Sequence, residues 1–261
     1  MLLRSLLALL VLTVTAGGQT TKKTSTPSTS KKSTSKAATP AKQPTAIIHT
    51  TAGDLKCELF SEKAPMTVAN FVGLSTGSKK WTDPTTRKVQ LHHPLYDGVI
   101  FHRTIPEFMI QGGDPSGTGS GDIGYEFDNE LLRDLLFDRP GRLAMANRGV
   151  NTNSSQFFIT EVPREALNPC LDAGGCQRPW GQVPQGSGYT IFGQCDDAAV
   201  ALVKEIARKP CEGGTLCTGT NSRPQDPVKI KHIEILNAGK AAPGKPSGKS
   251  RAQKKNATPS K

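Results

Sequence analysis

The placement of the aromatic residues is the feature that most constrains how this chain can fold. All Phe, Tyr and Trp residues lie between Phe60 and Phe192, so the material for a hydrophobic core is confined to one interior segment. That segment, residues 46–237, has a length that suits one domain. The net charge is +11, but the segments on either side of the core contain Lys and no acidic residue. The excess positive charge therefore belongs to the two ends of the chain.

Residues 1–18 have the order of features that is typical of a signal peptide. A single Arg4 precedes an apolar run from Leu6 to Val14, and small residues follow at 16–18. A membrane-spanning helix needs about 20 apolar residues, roughly twice this run, so an uncleaved anchor is the weaker alternative. The sequence thus predicts an exported protein that is periplasmic or secreted.

Two polar segments are predicted to be disordered. Residues 19–45 are rich in Lys, Ser and Thr, and residues 238–261 are basic. Neither segment has enough apolar surface to offset the entropy lost on folding. Clustered Lys could attract a polyanion, which predicts salt-sensitive retention on heparin. Because neither segment has aromatic residues to stack on bases, we expect no nucleic-acid partner.

The residue pattern between these ends predicts a β-rich domain with two helices. Two alternating runs around Gly53 form a hairpin, one helix begins at Pro65 and stops near Gly77, and a second helix follows Asp196. In the last apolar run the inward positions shift, which predicts a β-bulge near His232. Further strands are predicted at 98–103, 108–111, 156–160, 190–194 and 228–236.

Two longer stretches resemble the signature segments of cyclophilins. They are YDGVIFHRTIPEFMIQGGDPSGTGSG at 96–121 and GRLAMANRGVNTNSSQFFIT at 141–160. The resemblance implies a closed eight-stranded antiparallel β-barrel capped by two α-helices, with peptidyl-prolyl cis/trans isomerase activity. It assigns the catalytic positions to Arg103, Phe108 and Gln111. The substrate-binding positions that it implies are His102, Met109, Ala146, Asn147, Gln156, Phe158, Leu167 and Tyr189.

These residue types suit rotation about an X-Pro bond. The reaction requires no nucleophile or general base, only a charged donor near the prolyl nitrogen and an apolar pocket around the ring. Arg103 supplies the donor, and Phe108, Met109 and Phe158 supply the pocket. His102 is expected to be a hydrogen-bonded structural or wall residue without an acid-base role. No cofactor or metal is expected.

The chain departs from the family pattern in two insertions. One covers residues 78–94, and the other covers residues 169–188 and follows Leu167. Ala166 stands where cyclophilins often have an aromatic residue, and Tyr189 replaces a His. A cyclosporin-type inhibitor is therefore expected to bind weakly, unless Trp180 of the second insertion supplies the missing ring. Arg148 adds a bulky cation beside Asn147.

The six cysteines suit an oxidising compartment. Cys170 with Cys176 and Cys211 with Cys217 have the same short spacing, which favours two local disulfides over zinc sites, since neither loop contains a His. Cys57 lies on the inward face of its strand, and a buried thiol and a bridge to Cys195 are equally compatible with the sequence.

Three functions are compatible with the sequence. The favoured one is an isomerase that acts as a monomer on proline-containing peptides and on unfolded or partly folded exported proteins. The second is a binding module or holdase with the same groove but without turnover. The third is a polyanion-binding surface protein that uses its Lys-rich ends. The pairing of Arg103 with Gln111 favours the first, because a pure binder has no need of that donor.

Overall fold

The computed structural model describes residues 42–237, and these belong to one compact unit. The predicted signal peptide, nearly all of the predicted linker and the basic C-terminal segment lie outside the described residues. In chain order the strands and helices are β1 (Thr45–Thr50), β2 (Asp54–Leu59), α1 (Pro65–Ser75), β3 (Trp81–Thr82), β4 (Val89–Gln90), β5 (Arg103–Ile105), β6 (Met109–Gly112), β7 (Arg142–Met145), β8 (Phe157–Thr160), a 3-10 turn (Glu165–Leu167), β9 (Cys176–Arg178), β10 (Gly181–Val183), β11 (Ile191–Cys195), α2 (Asp197–Ala207) and β12 (Ile230–Leu236).

Eight of the strands form one antiparallel sheet in the order β12-β1-β2-β11-β7-β8-β6-β5. The sheet is curled into a half-barrel, and two helices accompany it, so the predicted β-rich architecture with two helices is confirmed. β3 with β4 and β9 with β10 form separate two-stranded hairpins. One hairpin lies in each of the two predicted insertions. The insertions therefore add small elements without lengthening the main sheet.

The closed barrel that the resemblance implied is not what the structure shows. The edge strands β12 and β5 do not pair with each other as a ladder. They are linked by the residues that precede them: the N–H of Phe101 donates to the carbonyl of Val228 at 3.0 Å, and Ile100 forms an isolated bridge with Lys229. Gly98 has a φ of +79° and lies in a turn, so the extended segment that reaches β12 is shorter than the strand predicted at 98–103.

The predicted hairpin and the predicted bulge both appear at the other edge of the sheet. β1 and β2 pair around Gly53, whose φ of +138° suits glycine best. In the pairing of β1 with β12, His49 lies opposite His232, whereas the next residue, Thr50, lies opposite Ile230. One residue of β12 is thus left over, which is the definition of a β-bulge.

The two helices begin and end close to the predicted positions. Pro65 opens α1, where its missing N–H costs nothing, and Glu130 accepts hydrogen bonds from the N–H groups of the next two residues. Gly77 follows the helix with a φ of +72°. At α2 the side chain of Asp196 caps the helix by accepting from the N–H of Ala199 at 2.9 Å.

Two groups of buried apolar side chains lie on opposite faces of the sheet. The main core contains Phe71, Phe192 and, as the alternation predicts, Ile110, Phe157 and Ile159. A second, smaller group lies beneath the predicted site. It contains Met109, Leu135, Phe137, Ala144, Phe158, Leu167 and Ile191. The strands β6 and β8 therefore contribute one face to the core and the other to the site.

The cysteines are paired as three disulfides within residues 42–237. Cys57 is joined to Cys195, Cys170 to Cys176 and Cys211 to Cys217. The first pair lies directly across β2 and β11 in the sheet, so strand register selects the bridge over the buried thiol. The other two are the local pairs that the spacing favoured. No helix in this part of the chain is long and apolar enough to cross a bilayer.

Candidate active site

The register of β5, β6 and β8 brings two of the three predicted catalytic residues, Arg103 and Gln111, into one row with Phe158. Arg103 lies opposite Gln111, and Gln111 lies opposite Phe158 on its other side. Residues that are directly opposite in an antiparallel sheet point to the same face. Met109, two residues before Gln111, shares that face because side chains alternate along a strand. The consecutive strands β5 and β6 and the distant strand β8 therefore present their side chains side by side.

The guanidinium of Arg103 is held by neutral groups. Its Nη1 donates to Oε1 of Gln111 at 3.1 Å, and its Cζ lies 5.7 Å from the centre of the Phe108 ring. Partial burial lowers the pKa of Arg103 from its usual value, and Tyr189 acts in the opposite direction. An Arg stays protonated despite such a shift. Within residues 42–237 no carboxylate forms an ion pair with Arg103, so its charge is available to a ligand.

A chain of amide hydrogen bonds fixes Gln111 in turn. Nε2 of Gln111 donates to Oε1 of Gln156 at 3.0 Å. Nε2 of Gln156 then donates to the carbonyl of Gly119 at 3.0 Å. This chain orients Gln111 so that its oxygen, the acceptor, faces Arg103. Gln156 was predicted to contact the peptide; in the structure its side chain hydrogen-bonds to Gln111 and Gly119 and does not line the small pocket.

Beside Arg103 lies a small pocket of about 130 Å³. Its apolar walls pack on one another: the Phe158 ring stacks on Phe137 with centroids 5.8 Å apart and meets the Tyr189 ring edge to face at 5.4 Å. Such contacts limit the freedom of the rings, so the pocket is formed in advance. The residues that line it are Arg103, Phe108, Met109, Gln111, Ala146, Asn147, Phe158, Leu167 and Tyr189.

The rim of the pocket offers backbone groups as well as side chains. Ala146 and Asn147 follow β7, and the N–H of Ala146 is used internally, donating to the carbonyl of Gln156 at 2.9 Å. The side chain of Asn147 donates to the carbonyl of Gly188 at 2.9 Å, which ties the rim to the end of the second insertion. Among the described residues the backbone N–H and C=O of Asn147 have no hydrogen-bond partner, so they can pair with an extended chain.

His102 is placed differently from the expectation. It precedes Arg103 on the strand path and points to the opposite side, where only 6% of its surface is exposed. It does not line the pocket, and neither ring nitrogen has a hydrogen-bond partner within residues 42–237. Burial lowers the pKa of His102, while Asp114 raises it to a smaller extent. The ring therefore acts as a neutral packing group beneath the loop that contains Gly119.

Two contributors to the site were not foreseen from the sequence. The guanidinium carbon of Arg164 lies 5.1 Å from the centre of the Phe108 ring. Nη2 of Arg164 also donates a hydrogen bond to the carbonyl of Glu107 at 2.6 Å. Phe137 supports Phe158 from below. Nothing local in the sequence distinguishes either residue, because both reach the site by way of loops.

A second pocket adjoins the first on the side of Leu167 and Tyr189. It has a volume of about 340 Å³ and includes residues of the insertion at 169–188. Both Ala166 and Trp180 line it, whereas neither lines the smaller pocket. The insertion hence reaches the side of the small pocket. No group of three or more His, Cys, Asp or Glu side chains suited to a metal ion occurs within residues 42–237.

Comparison with known proteins gives a consistent result. Residues 45–235 match the sequence model of the family described as "Cyclophilin type peptidyl-prolyl cis-trans isomerase/CLD". The chain is 43% identical over 196 residues to peptidyl-prolyl cis-trans isomerase A of Mycobacterium tuberculosis, covering 75% of this chain and 94% of the relative. It is 38% identical over 196 residues to peptidyl-prolyl cis-trans isomerase B of Streptomyces anulatus, covering 75% and 98%.

Among solved structures, the fold is similar to that of a cyclophilin-type peptidyl-prolyl cis-trans isomerase from Cryptosporidium parvum. The TM-score is 0.53 at 33% identity, and the match covers 74% of this chain and 97% of the other. A second crystal structure of that protein, in the presence of the dipeptide Ala-Pro, gives the same TM-score.

Proposed function

The chain belongs to the cyclophilin family of peptidyl-prolyl cis-trans isomerases, and from this premise we propose how its groove accelerates the rotation and where it acts. Rotation about an X-Pro bond breaks amide resonance and crosses a barrier of about 18–20 kcal/mol. Without a catalyst the exchange takes on the order of tens to hundreds of seconds. A catalyst must therefore bind the twisted bond more tightly than either planar isomer.

Arg103 is the proposed source of that preference. As the bond twists, the prolyl nitrogen loses conjugation and gains lone-pair character, so a fixed cationic donor beside it stabilises the twisted state more than the planar one. The position of Arg103 supports this role, since Gln111 holds the guanidinium at 3.1 Å over the mouth of the small pocket. The observation that carries the proposal is this pairing of a fixed, unneutralised guanidinium with an apolar pocket.

The pocket is proposed to hold the proline ring while the residue before it turns. Phe108, Met109 and Phe158 provide apolar walls of a size suited to a small ring. The backbone N–H and C=O of Asn147, which have no partner among residues 42–237, are proposed to pair with the peptide as an added strand would. With the ring and one flank fixed, the other flank is free to rotate past Arg103.

We also propose that the enzyme is exported and assists the folding of exported proteins as a monomer. The apolar run from Leu6 to Val14 supports export, and three disulfides suit an oxidising compartment. N-terminal sequencing of the protein from the periplasm or the medium should find the chain starting near residue 19. Recovery of the intact N-terminus from the cytoplasm alone would refute this part.

The mechanism is tested by replacing Arg103. We expect Arg103→Ala to lower kcat/KM at least about tenfold, roughly 1.4 kcal/mol of transition-state stabilisation. Arg103→Lys should also lower it, because Lys keeps the charge but loses the planar fork of donors. The assay follows isomerisation of a short proline peptide by exchange spectroscopy, with thermal melting as a check on folding.

A matched control is Arg87→Ala, which removes an exposed Arg from the loop between β3 and β4, outside both pockets. It should leave kcat/KM unchanged. Turnover close to wild type in a folded Arg103→Ala variant would contradict the role of the guanidinium. Peptide binding without turnover by the wild type would favour a binding module instead.

A further inference from the structure

The second pocket shares a wall with the proline pocket. Asn147, Leu167 and Tyr189 line both cavities, so the two are neighbours along one groove. The second is the larger, with a volume of about 340 Å³ against about 130 Å³. A peptide whose proline fills the first pocket can therefore place a nearby side chain in the second.

Two arginines give this second pocket its electrostatic character. Arg148 is exposed beside Asn147, and within residues 42–237 its side chain has no hydrogen-bond or ion-pair partner. Arg178 reaches the pocket from β9, and its guanidinium donates only to backbone carbonyls, those of Glu165 and Asn168. No acidic residue lines the cavity. The pocket thus has two positive charges that the described part of the protein does not neutralise.

The insertion presents Arg178 on a braced hairpin. β9 and β10 pair directly, and the disulfide between Cys170 and Cys176 fixes the start of β9. At the far end, a Cβ placed on Gly188 would lie 3.0 Å from Cα of Pro169. The chain therefore enters and leaves the insertion at nearly the same point, which limits how far the hairpin can move.

Trp180 completes the cavity from the turn of this hairpin. It is 62% exposed, although a large aromatic side chain gains most when it leaves water. An exposed Trp beside two Arg side chains is the combination that dominates recognition sites, where an aromatic ring covers the ligand and Arg fixes its charge. Within residues 42–237 the indole stacks on no other aromatic ring.

We propose that the second pocket is a subsite for an acidic side chain close to the proline that is isomerised. Arg148 and Arg178 bind the carboxylate, and Trp180 covers the methylene groups. The enzyme then prefers X-Pro bonds flanked by Asp or Glu over neutral or basic flanks. This inference rests on the proposed function, because the same groove has to bind and turn over the peptide.

The test uses the full chain and a set of proline peptides with one variable residue. That residue is Glu or its neutral isostere Gln, placed in turn at each of the two positions before and the two positions after the proline. The quantity of interest is the ratio of kcat/KM for the Glu peptide to that for the Gln peptide. We expect a ratio of at least about three at one position, falling toward one as NaCl screens the charges.

Variants assign this ratio to the pocket. Arg148→Gln should bring the ratio close to one, because the loss in kcat/KM falls mainly on the Glu peptide. Arg178→Gln should also lower the ratio, but Arg178 braces the hairpin as well, so Arg148→Gln is the deciding variant. Arg87→Gln removes the same charge outside both pockets and should preserve the ratio.

The outcomes separate this inference from the function on which it rests. Efficient turnover of the Gln peptides with a ratio of one at all four positions would overturn the acidic subsite and leave the isomerase intact. A Glu preference that survives in Arg148→Gln would also overturn it. Absence of turnover for all the peptides would refute the proposed function, and the subsite with it.

Discussion

The disulfide between Cys57 and Cys195 should contribute more to stability than the two local disulfides. It closes a loop with a sequence separation of 138, whereas the pair at Cys170 and Cys176 closes one with a separation of 6. On the chain-entropy treatment the first restricts the unfolded chain by about 5 kcal/mol and the second by about 2 kcal/mol. The difference arises because the longer link removes many more conformations from the unfolded state.

The perturbation is the double replacement of Cys57 and Cys195 by Ala. Both residues are almost fully buried, at 0% and 3% exposure, so Ala is chosen over Ser to avoid burying hydroxyl groups without partners. For a domain of this size each kcal/mol corresponds to about 2–4 °C in Tm. We therefore expect Tm to fall by about 10–20 °C, and by about 4–8 °C at most when Cys170 and Cys176 are replaced.

The assay is calorimetric melting of both double variants and the wild type under non-reducing conditions. Peptide mapping of the wild type before and after alkylation establishes which sulfurs are joined. A fall in Tm of only a few degrees for the Cys57 and Cys195 variant, or one no larger than that of the local pair, would refute the reasoning. Free thiols at these two positions would refute the bridge itself.

Three further results are expected. Gln111→Leu should lower kcat/KM about five- to tenfold with little change in KM, because the Arg103 guanidinium loses the hydrogen bond that holds it. Unchanged turnover would show that Gln111 is dispensable. The pKa of His102 is lowered by burial, with Asp114 opposing. Because the unfolded state then binds a proton that the folded state does not, the free energy of unfolding should fall as pH drops below about 6.5. A urea midpoint that declines equally with pH in His102→Phe would contradict this. For a cyclosporin-type inhibitor, Ala166→Trp should tighten inhibition about tenfold or more and Trp180→Ala should change it little; tight inhibition of the wild type that is lost in Trp180→Ala would place the Trp180 ring at the site.

Local patterns in the sequence were sufficient for much of the fold. The alternation of Leu55, Cys57 and Leu59 with charged residues predicts β2, and the Asp196 cap predicts the start of α2. Both predictions hold because the burial of one face and the capping of one end depend on residues that are close in sequence. The same reasoning places Ile110 in the core and Met109 on the opposite face.

Other features depend on contacts between distant segments, and the sequence could not specify them. Whether Cys57 is bridged to Cys195 depends on the register between β2 and β11. The strand predicted at 98–103 is shortened because its first residue, Gly98, adopts a turn conformation. Arg164 reaches Phe108 only through the loop that follows β8. In each case the missing information is a pairing in space.

The contact between Gly188 and Pro169 has a consequence for how such a chain can change over generations. Because the two ends of the insertion meet, its length and contents can vary without shifting Leu167 or Tyr189, which anchor the groove on either side. The part of the second pocket that the insertion contributes can then be replaced as a unit, while the pairing of Arg103 with Gln111 across β5 and β6 stays unaltered. A library that replaces only residues 170–187 should yield isomerases with new flanking preferences and a common core.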